Sequence, residues 1–285
     1  MFAYGGTLRA VHSAPMIGLA AQALLLAAAA ATVGLAGTSW VVGAMCALIL
    51  NAAVAQAIAR HRPTRLGPAS WVTLARATLA VGVAALAADS LVRSTSPAPL
   101  VTLAVVALAL DWVDGQVARR TATESRLGAQ MDGEVDAFLI LALSVAVAPT
   151  AGAWVLTIGA ARYAFLAAGW PLAWMRAPLP RRDWRKSVTA VQGIVLAIAA
   201  ADALPRALTR VALAAALVLL AESFGRDVLW LWRRRRAPAG PHATLEEEKP
   251  RREPSGGSGS RRARLRAGIA AVLTVLAVLI VWVAL

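Results

Sequence analysis

A single cysteine, Cys46, is all the thiol in this chain of 285 residues. No intrachain disulfide and no cysteine metal cluster can form from it. Histidine is nearly as scarce. His12, His61 and His242 are scattered outside the apolar runs, which argues against a histidine-based metal site. Charge is sparse as well, at 15% of residues against 59% hydrophobic. Soluble domains carry about a quarter charged residues, so the mean hydropathy of +0.64 excludes an ordinary soluble protein. Acidic residues are the rarer sign, with 15 Asp and Glu against 29 Lys and Arg. No internal repeat and no pair of interrupted apolar segments stands out, so the usual pointers to a transporter are missing.

What is present is a succession of apolar stretches near twenty residues long, each enough to cross a hydrocarbon core. Backbone polar groups in lipid must be satisfied within the span, so the predicted fold class is all-α, a polytopic transmembrane helical bundle. About nine spans are predicted, near 16–36, 39–59, 70–92, 97–117, 128–148, 151–174, 187–203, 208–231 and 265–285. The first run is long and another follows at once, which favours a retained span over a signal peptide. Residues 237–264 are rich in Pro, Gly, Ser and mixed charge and read as a flexible cytoplasmic linker.

The net charge of +14 could suggest nucleic acid, but its placement does not. Arg60, Arg62 and Arg65, then Arg119, Arg120 and Arg126, then Arg176 to Lys186, then Arg233 to Arg236 occupy alternate connections. That is the positive-inside pattern, and it puts the N-terminus in the cytoplasm. The expected partner of these loops is the anionic bilayer surface, with no nucleic acid. Most of the ten tryptophans, Trp40, Trp71 and Trp154 among them, fall near span ends as interface anchors.

Against this background one stretch is anomalous. "DWVDGQVARRTATESRLGAQMDGEVD", Asp111 to Asp136, puts four aspartates, two glutamates and several arginines at the end of an apolar run. A charge at mid-bilayer depth costs about 3 kcal/mol on insertion scales, so such residues usually face a cavity and do a job. Asp111 and Asp114 share a helix face, and Gly128, Asp132 and Asp136 form one stripe on the next helix. The two helices are joined by a short basic turn, so both stripes reach the same depth. Four converging carboxylates need cations between them. With oxygen donors alone, a hard ion is expected, Mg²⁺ or Mn²⁺, in a two-metal site suited to phosphate or diphosphate chemistry. Gly115, Ala118 and Gly128 leave room for a ligand, and Arg119 is placed to pair with a phosphate oxygen. Glu134 lies about 200° around the helix from Asp132 and is predicted to point away from the stripe.

The same positions read D-x2-D-G-x2-A-R-x8-G-x3-D-x3-D, carried by Asp111, Asp114, Gly115, Ala118, Arg119, Gly128, Asp132 and Asp136. This resembles the signature of the CDP-alcohol phosphotransferases, integral-membrane enzymes of phospholipid biosynthesis. Softer resemblances flank it: "PASWVTLAR" with Thr73 and Arg76, where Ser70 replaces a frequent asparagine, and "RKSVTAVQ" with Lys186, Thr189 and Gln192. The resemblance covers roughly Arg65 to Trp232. It implies a six-helix catalytic core over residues 65–236, two added N-terminal spans in 1–64, the linker, and a last span over 265–285.

The resemblance also implies roles. Asp111, Asp114, Asp132 and Asp136 would hold two divalent cations against the diphosphate of a CDP-linked donor. Asp111, Gly115, Ala118, Arg119, Gly128 and Thr73 would border that donor. Asp136 would act as general base on the acceptor hydroxyl, and CMP would leave. Arg76, about six residues into its span, is expected either to snorkel to the interface or to bind phosphate. Arg162, well inside a span, is expected to bind an acceptor phosphate together with Arg185 and Lys186; pairing with one of the aspartates is the alternative. Asp89 and Glu222 are expected to be interfacial or ion-paired. The active site would face the cytoplasm, and a homodimer is compatible with this reading. Two other classes fit an intramembrane acidic cluster: a transporter with an ion path, and an Mg-dependent prenyltransferase. A catalytically dead scaffold is disfavoured because the signature is intact, and a prenyltransferase because the aspartates form one compact motif.

Overall fold

The computed structural model describes residues 3–61, 67–121, 126–177, 179 and 183–236. The linker expected over 237–264 and the span expected over 265–285 lie outside the described residues. Among the described residues the chain is helical, without a strand. The α-helices are α1 (Ala3–Val33), α2 (Gly37–His61), α3 (Pro68–Val92), α4 (Ala98–Thr121), α5 (Arg126–Ala151), α6 (Leu156–Ala168), α7 (Asp183–Ala200) and α8 (Arg206–Arg236). Short 3-10 turns, Ala153–Val155 and Ala173–Arg176, flank α6. The all-α polytopic bundle expected from hydropathy is the observed fold.

Helix α3 is the axis of the bundle. Its sequence runs through "ARATLAVGVAALAAD" with small side chains on every face. Ala77, Ala80, Val81, Val83, Ala85 and Ala87 are at most 1% exposed. Water drives no helix association in a bilayer, so small residues that let backbones approach closely supply the packing. Helices α1, α2, α4 and α5 all pack against α3. Gly67 and Pro68 start it, a fitting pair because proline at the first helical position loses only an unneeded N–H.

Buried polar contacts join the two N-terminal helices to each other and to this axis. The Asn51 amide donates to Gln22 Oε1 at 2.5 Å and to the Ala47 carbonyl at 2.8 Å. Near the far end of α3, the buried Asp89 carboxylate accepts from the Ala36 N–H at 2.8 Å and from Ser39 Oγ at 3.0 Å. It also pairs with Arg93 at 2.6 Å, so the ion-paired expectation for Asp89 holds.

Five helices are long and apolar enough to cross a membrane: Ser13–Val33, Gly37–Ala59, Ser70–Val92, Gly128–Ala151 and Arg206–Arg235. Three spans predicted from hydropathy differ in detail. In α4 the apolar part is Ala98–Val113, with Asp111 in its last turn and Asp114 directly after it. In α7, Asp183, Arg185 and Lys186 occupy the first turn. The run predicted over 151–174 is not one helix: α6 stops at Ala168, and 3-10 turns lie before and after it, although the turn from α5 falls close to the connection expected at 149–150. Gly152 adopts φ +112°, which side-chain-bearing residues rarely adopt, and breaks the chain between α5 and the 13-residue α6.

Helix α6 lies against α5 at a point that admits only glycine. A β-carbon on Gly159 would stand 2.6 Å from Leu141 Cα and 3.0 Å from Ser144 Oγ. Alanine would gain about 1 kcal/mol of helix propensity there. A backbone atom cannot rotate aside, so the overlap dominates, at about 1–3 kcal/mol. Gly159→Ala is therefore expected to lower the midpoint of thermal unfolding in detergent. An unchanged midpoint would mean that α5 and α6 stand further apart than described.

Candidate carboxylate site

Two helices bring acidic groups together at one end of the bundle. Asp111 comes from the last turns of α4, and Asp132 and Asp136 from the first half of α5. One carboxylate oxygen from each lies within 4.8 Å of the others. The four-residue spacing puts Asp132 and Asp136 one turn apart on one face, as the sequence predicts. Their side chains keep 25% and 21% exposure, and that of Asp111 keeps 36%. The site is thus embedded but open on one side.

Its floor is an arginine. Arg76, on α3, has no exposed surface. Its Nη1 pairs with Asp111 Oδ1 at 2.9 Å and also with Asp132, while Nη2 pairs with Asp136. Nε donates to the Ala107 carbonyl on α4 at 3.2 Å. The planar guanidinium fork suits several carboxylates at once, where a lysine would be a point charge. Neither expectation for Arg76 describes this. It does not snorkel, because the carboxylates meet its charge inside the bundle. The signal available in the sequence was its depth: an arginine well inside an apolar run, one span before the aspartates.

The backbone of α4 is described through Thr121, but the side chains of Asp114, Gly115, Ala118 and Arg119 lie outside the described residues. Gly128 is half-buried at the start of α5, and Thr73 is buried one turn before Arg76.

The three candidate acceptor residues fall in two places. Arg162, on α6, pairs with Glu134 Oε1 at 2.6 Å, not with an aspartate. Glu134 does turn away from the aspartate stripe, as its position on the helix requires, and it turns towards Arg162. The guanidinium passes over Gly133: a β-carbon there would be 3.6 Å from Nη2. It therefore covers the residue after Asp132, on the side of α5 to which Glu134 turns. Sequence reading missed this pair because its two charges come from different spans. Two otherwise unexplained charges in consecutive spans were the available clue. On α7, Arg185 lies 3.4 Å from Asp227 of α8, and Lys186 is exposed and near enough to Asp111 for their charges to interact. Gln192 is fully buried and donates to the Ala216 carbonyl at 2.7 Å, so it ties α7 to α8. Glu222, which was expected to be interfacial or ion-paired, pairs with Arg226.

Fold and site define an integral membrane protein whose helix ends gather carboxylates around a buried guanidinium. The sequence model of the CDP-alcohol phosphatidyltransferase family matches residues 66–221, and the chain belongs to that family. The match spans the aspartate helices and both flanking segments. No curated protein and no solved structure matches the chain.

The family's enzymes are membrane phosphotransferases that generally use a divalent metal. The described residues fit such an ion. Three partly exposed carboxylates converge within one ion's reach, with oxygen donors only, the set preferred by Mg²⁺ and Mn²⁺.

Proposed function

We propose that this protein transfers a substituted phosphate group, in the leading case phosphatidyl, from a CDP-linked alcohol to an acceptor hydroxyl with release of CMP. The convergence of Asp111, Asp132 and Asp136 from two helices of the family core carries this reading. CDP-diacylglycerol is the proposed donor, because the chain belongs to a family of phosphatidyltransferases. Asp111, Asp114, Asp132 and Asp136 are the proposed ligands of two divalent ions. Bound there, the ions would neutralise charge on the diphosphate and stabilise the departing CMP.

The chain's own residues do the rest in this reading. Gly115, Ala118 and Gly128 leave space for the cytidine and its phosphates, Thr73 borders them, and Arg119 offers a planar fork to a phosphate oxygen. The Asp136 carboxylate takes the proton from the acceptor hydroxyl. The freed oxygen bonds to the β-phosphorus, and the bond from that phosphorus to the CMP oxygen breaks. Arg76 holds Asp136 from the buried side, so one carboxylate oxygen is fixed while the group remains reachable from the open side. The site faces the cytoplasm in this proposal, on the side of the basic loops.

Replacing any one of Asp111, Asp132 or Asp136 with Asn, and treating the wild type with EDTA, are each expected to abolish CMP release by the purified protein. Full turnover in EDTA would sink the cation-dependent mechanism.

The acceptor is proposed to be a phosphorylated alcohol. Lys186 near Asp111 and Arg162 over Gly133, the residue after Asp132, are the positive charges assigned to the acceptor phosphate in this reading. Glu134 holds Arg162 until an acceptor phosphate takes its place. A charge-assisted contact to phosphate is worth about 1.5–3 kcal/mol, or about one to two decades in acceptor KM. Arg162→Ala should raise acceptor KM by that factor and leave donor KM unchanged. A rise confined to donor KM, or no change, would redirect the search to free alcohols.

A further inference from the structure

The carboxylate site contains one positive charge that a metal-binding site does not require. Three observations define it. Arg76 is fully buried, although arginine is among the side chains least often found so. Its guanidinium touches all three carboxylates, which come from two other helices. It approaches from the protein side, while each carboxylate keeps an open face. The guanidinium is thus wholly enclosed while the carboxylates it holds are partly exposed, and a cation has to reach the ligand oxygens through that exposed part.

Resting on the divalent-cation reading of this site, we infer that Arg76 is a resident counter-charge: it holds Asp111, Asp132 and Asp136 together before an ion arrives and limits how tightly the ion is then held. With all three carboxylates ionised, the described groups carry a net charge of −2 (three negative, one positive) instead of −3. Three carboxylates gathered within 4.8 Å would otherwise repel one another and separate α4 from α5. A guanidinium is suited to this task because it remains protonated and its fork reaches several oxygens at once. Arg76 also bonds the Ala107 carbonyl one turn before Asp111, which fixes the fork relative to α4. The consequence for a bound cation has a definite sign. A full positive charge in contact with the ligand oxygens opposes the ion, and within a protein such charges interact far more strongly than in water. The protein keeps a preassembled site at the expense of affinity. An enzyme whose cations accompany a nucleotide diphosphate in and out benefits from that exchange.

This makes Arg76 a positioning residue. A purely structural role predicts that its loss weakens the fold and the ion site together. The counter-charge role predicts opposite effects on the two. The probe is Mn²⁺ alone, titrated into the purified full-length protein in detergent. Free ion is read by electron paramagnetic resonance, and unfolding midpoints are taken with and without Mn²⁺. Arg76→Gln should bind Mn²⁺ at least about tenfold more tightly than wild type. Its ion-free midpoint should fall, and saturating Mn²⁺ should restore it by more than it raises the wild type. Arg76→Lys keeps the charge and should bind Mn²⁺ close to the wild-type affinity. The inference is overturned if folded Arg76→Gln binds Mn²⁺ equally or more weakly. It is also overturned if the midpoint falls by the same amount with and without the ion, or if the variant fails to fold even in saturating Mn²⁺. Wild type that binds no Mn²⁺ would overturn the cation reading as well. Binding by wild type with an unresponsive Arg76→Gln overturns this inference alone.

Discussion

A fully buried arginine has to be answered by negative charge, and in this protein the answer organises the bundle. Arg76 sits on the central helix and bonds groups on α4 and α5. Leaving such a charge unpaired inside a protein costs several kcal/mol, so the register of the three helices is tied to the contact. The tie works in both directions. The aspartates would repel without the guanidinium, and the guanidinium would be insoluble without the aspartates. A chemically demanding acidic site is thereby also a polar anchor of a membrane core packed mainly from small and apolar side chains.

The remaining polar contacts follow the same economy. Buried polar groups in the bundle mostly meet one another across helices: Asn51 with Gln22, Asp89 with Ser39 and the Ala36 N–H, Arg162 with Glu134, Arg185 with Asp227. Each joins elements that apolar packing alone would leave free to slide. The first joins α1 to α2, and the second fastens the start of α2 and the turn before it to α3. The last two join α6 to α5 and α8 to α7, the elements that flank the carboxylates. Glycine allows the closest of these approaches, at Gly159, and breaks the chain at Gly152 where α5 gives way to the short α6.

Much of this was legible in the sequence. Hydropathy and basic loops specified a helical membrane bundle, since lipid permits little else. The spacing of Asp132 and Asp136 predicted one face, and the short connection to Asp111 predicted their meeting. Glu134 was correctly set apart from that stripe by helical geometry alone. The failures share a cause. The partners of Arg76 and Arg162 are 28 or more residues away and on other helices, and periodicity within one helix carries no information about which neighbour a side chain meets. The end of α6 at Ala168 was hidden for another reason: Gly169 to Trp174 is as apolar as the helix before it, so hydropathy runs on past the point where the helix stops.

The account rests on a phosphorus–oxygen exchange at the carboxylates, and following the nucleotide tests that most directly. Purified protein in lipid would be given CDP-diacylglycerol labelled in the cytidine and in the lipid, Mg²⁺, and a panel of phosphorylated and free alcohols. The account predicts CMP release in equal amount with a new lipid product, and only when a phosphorylated alcohol is present. Equal label in CMP and product with a free alcohol would retain the chemistry and change the acceptor. No CMP from any donor–acceptor pair, in protein shown to bind Mn²⁺, would contradict the central claim.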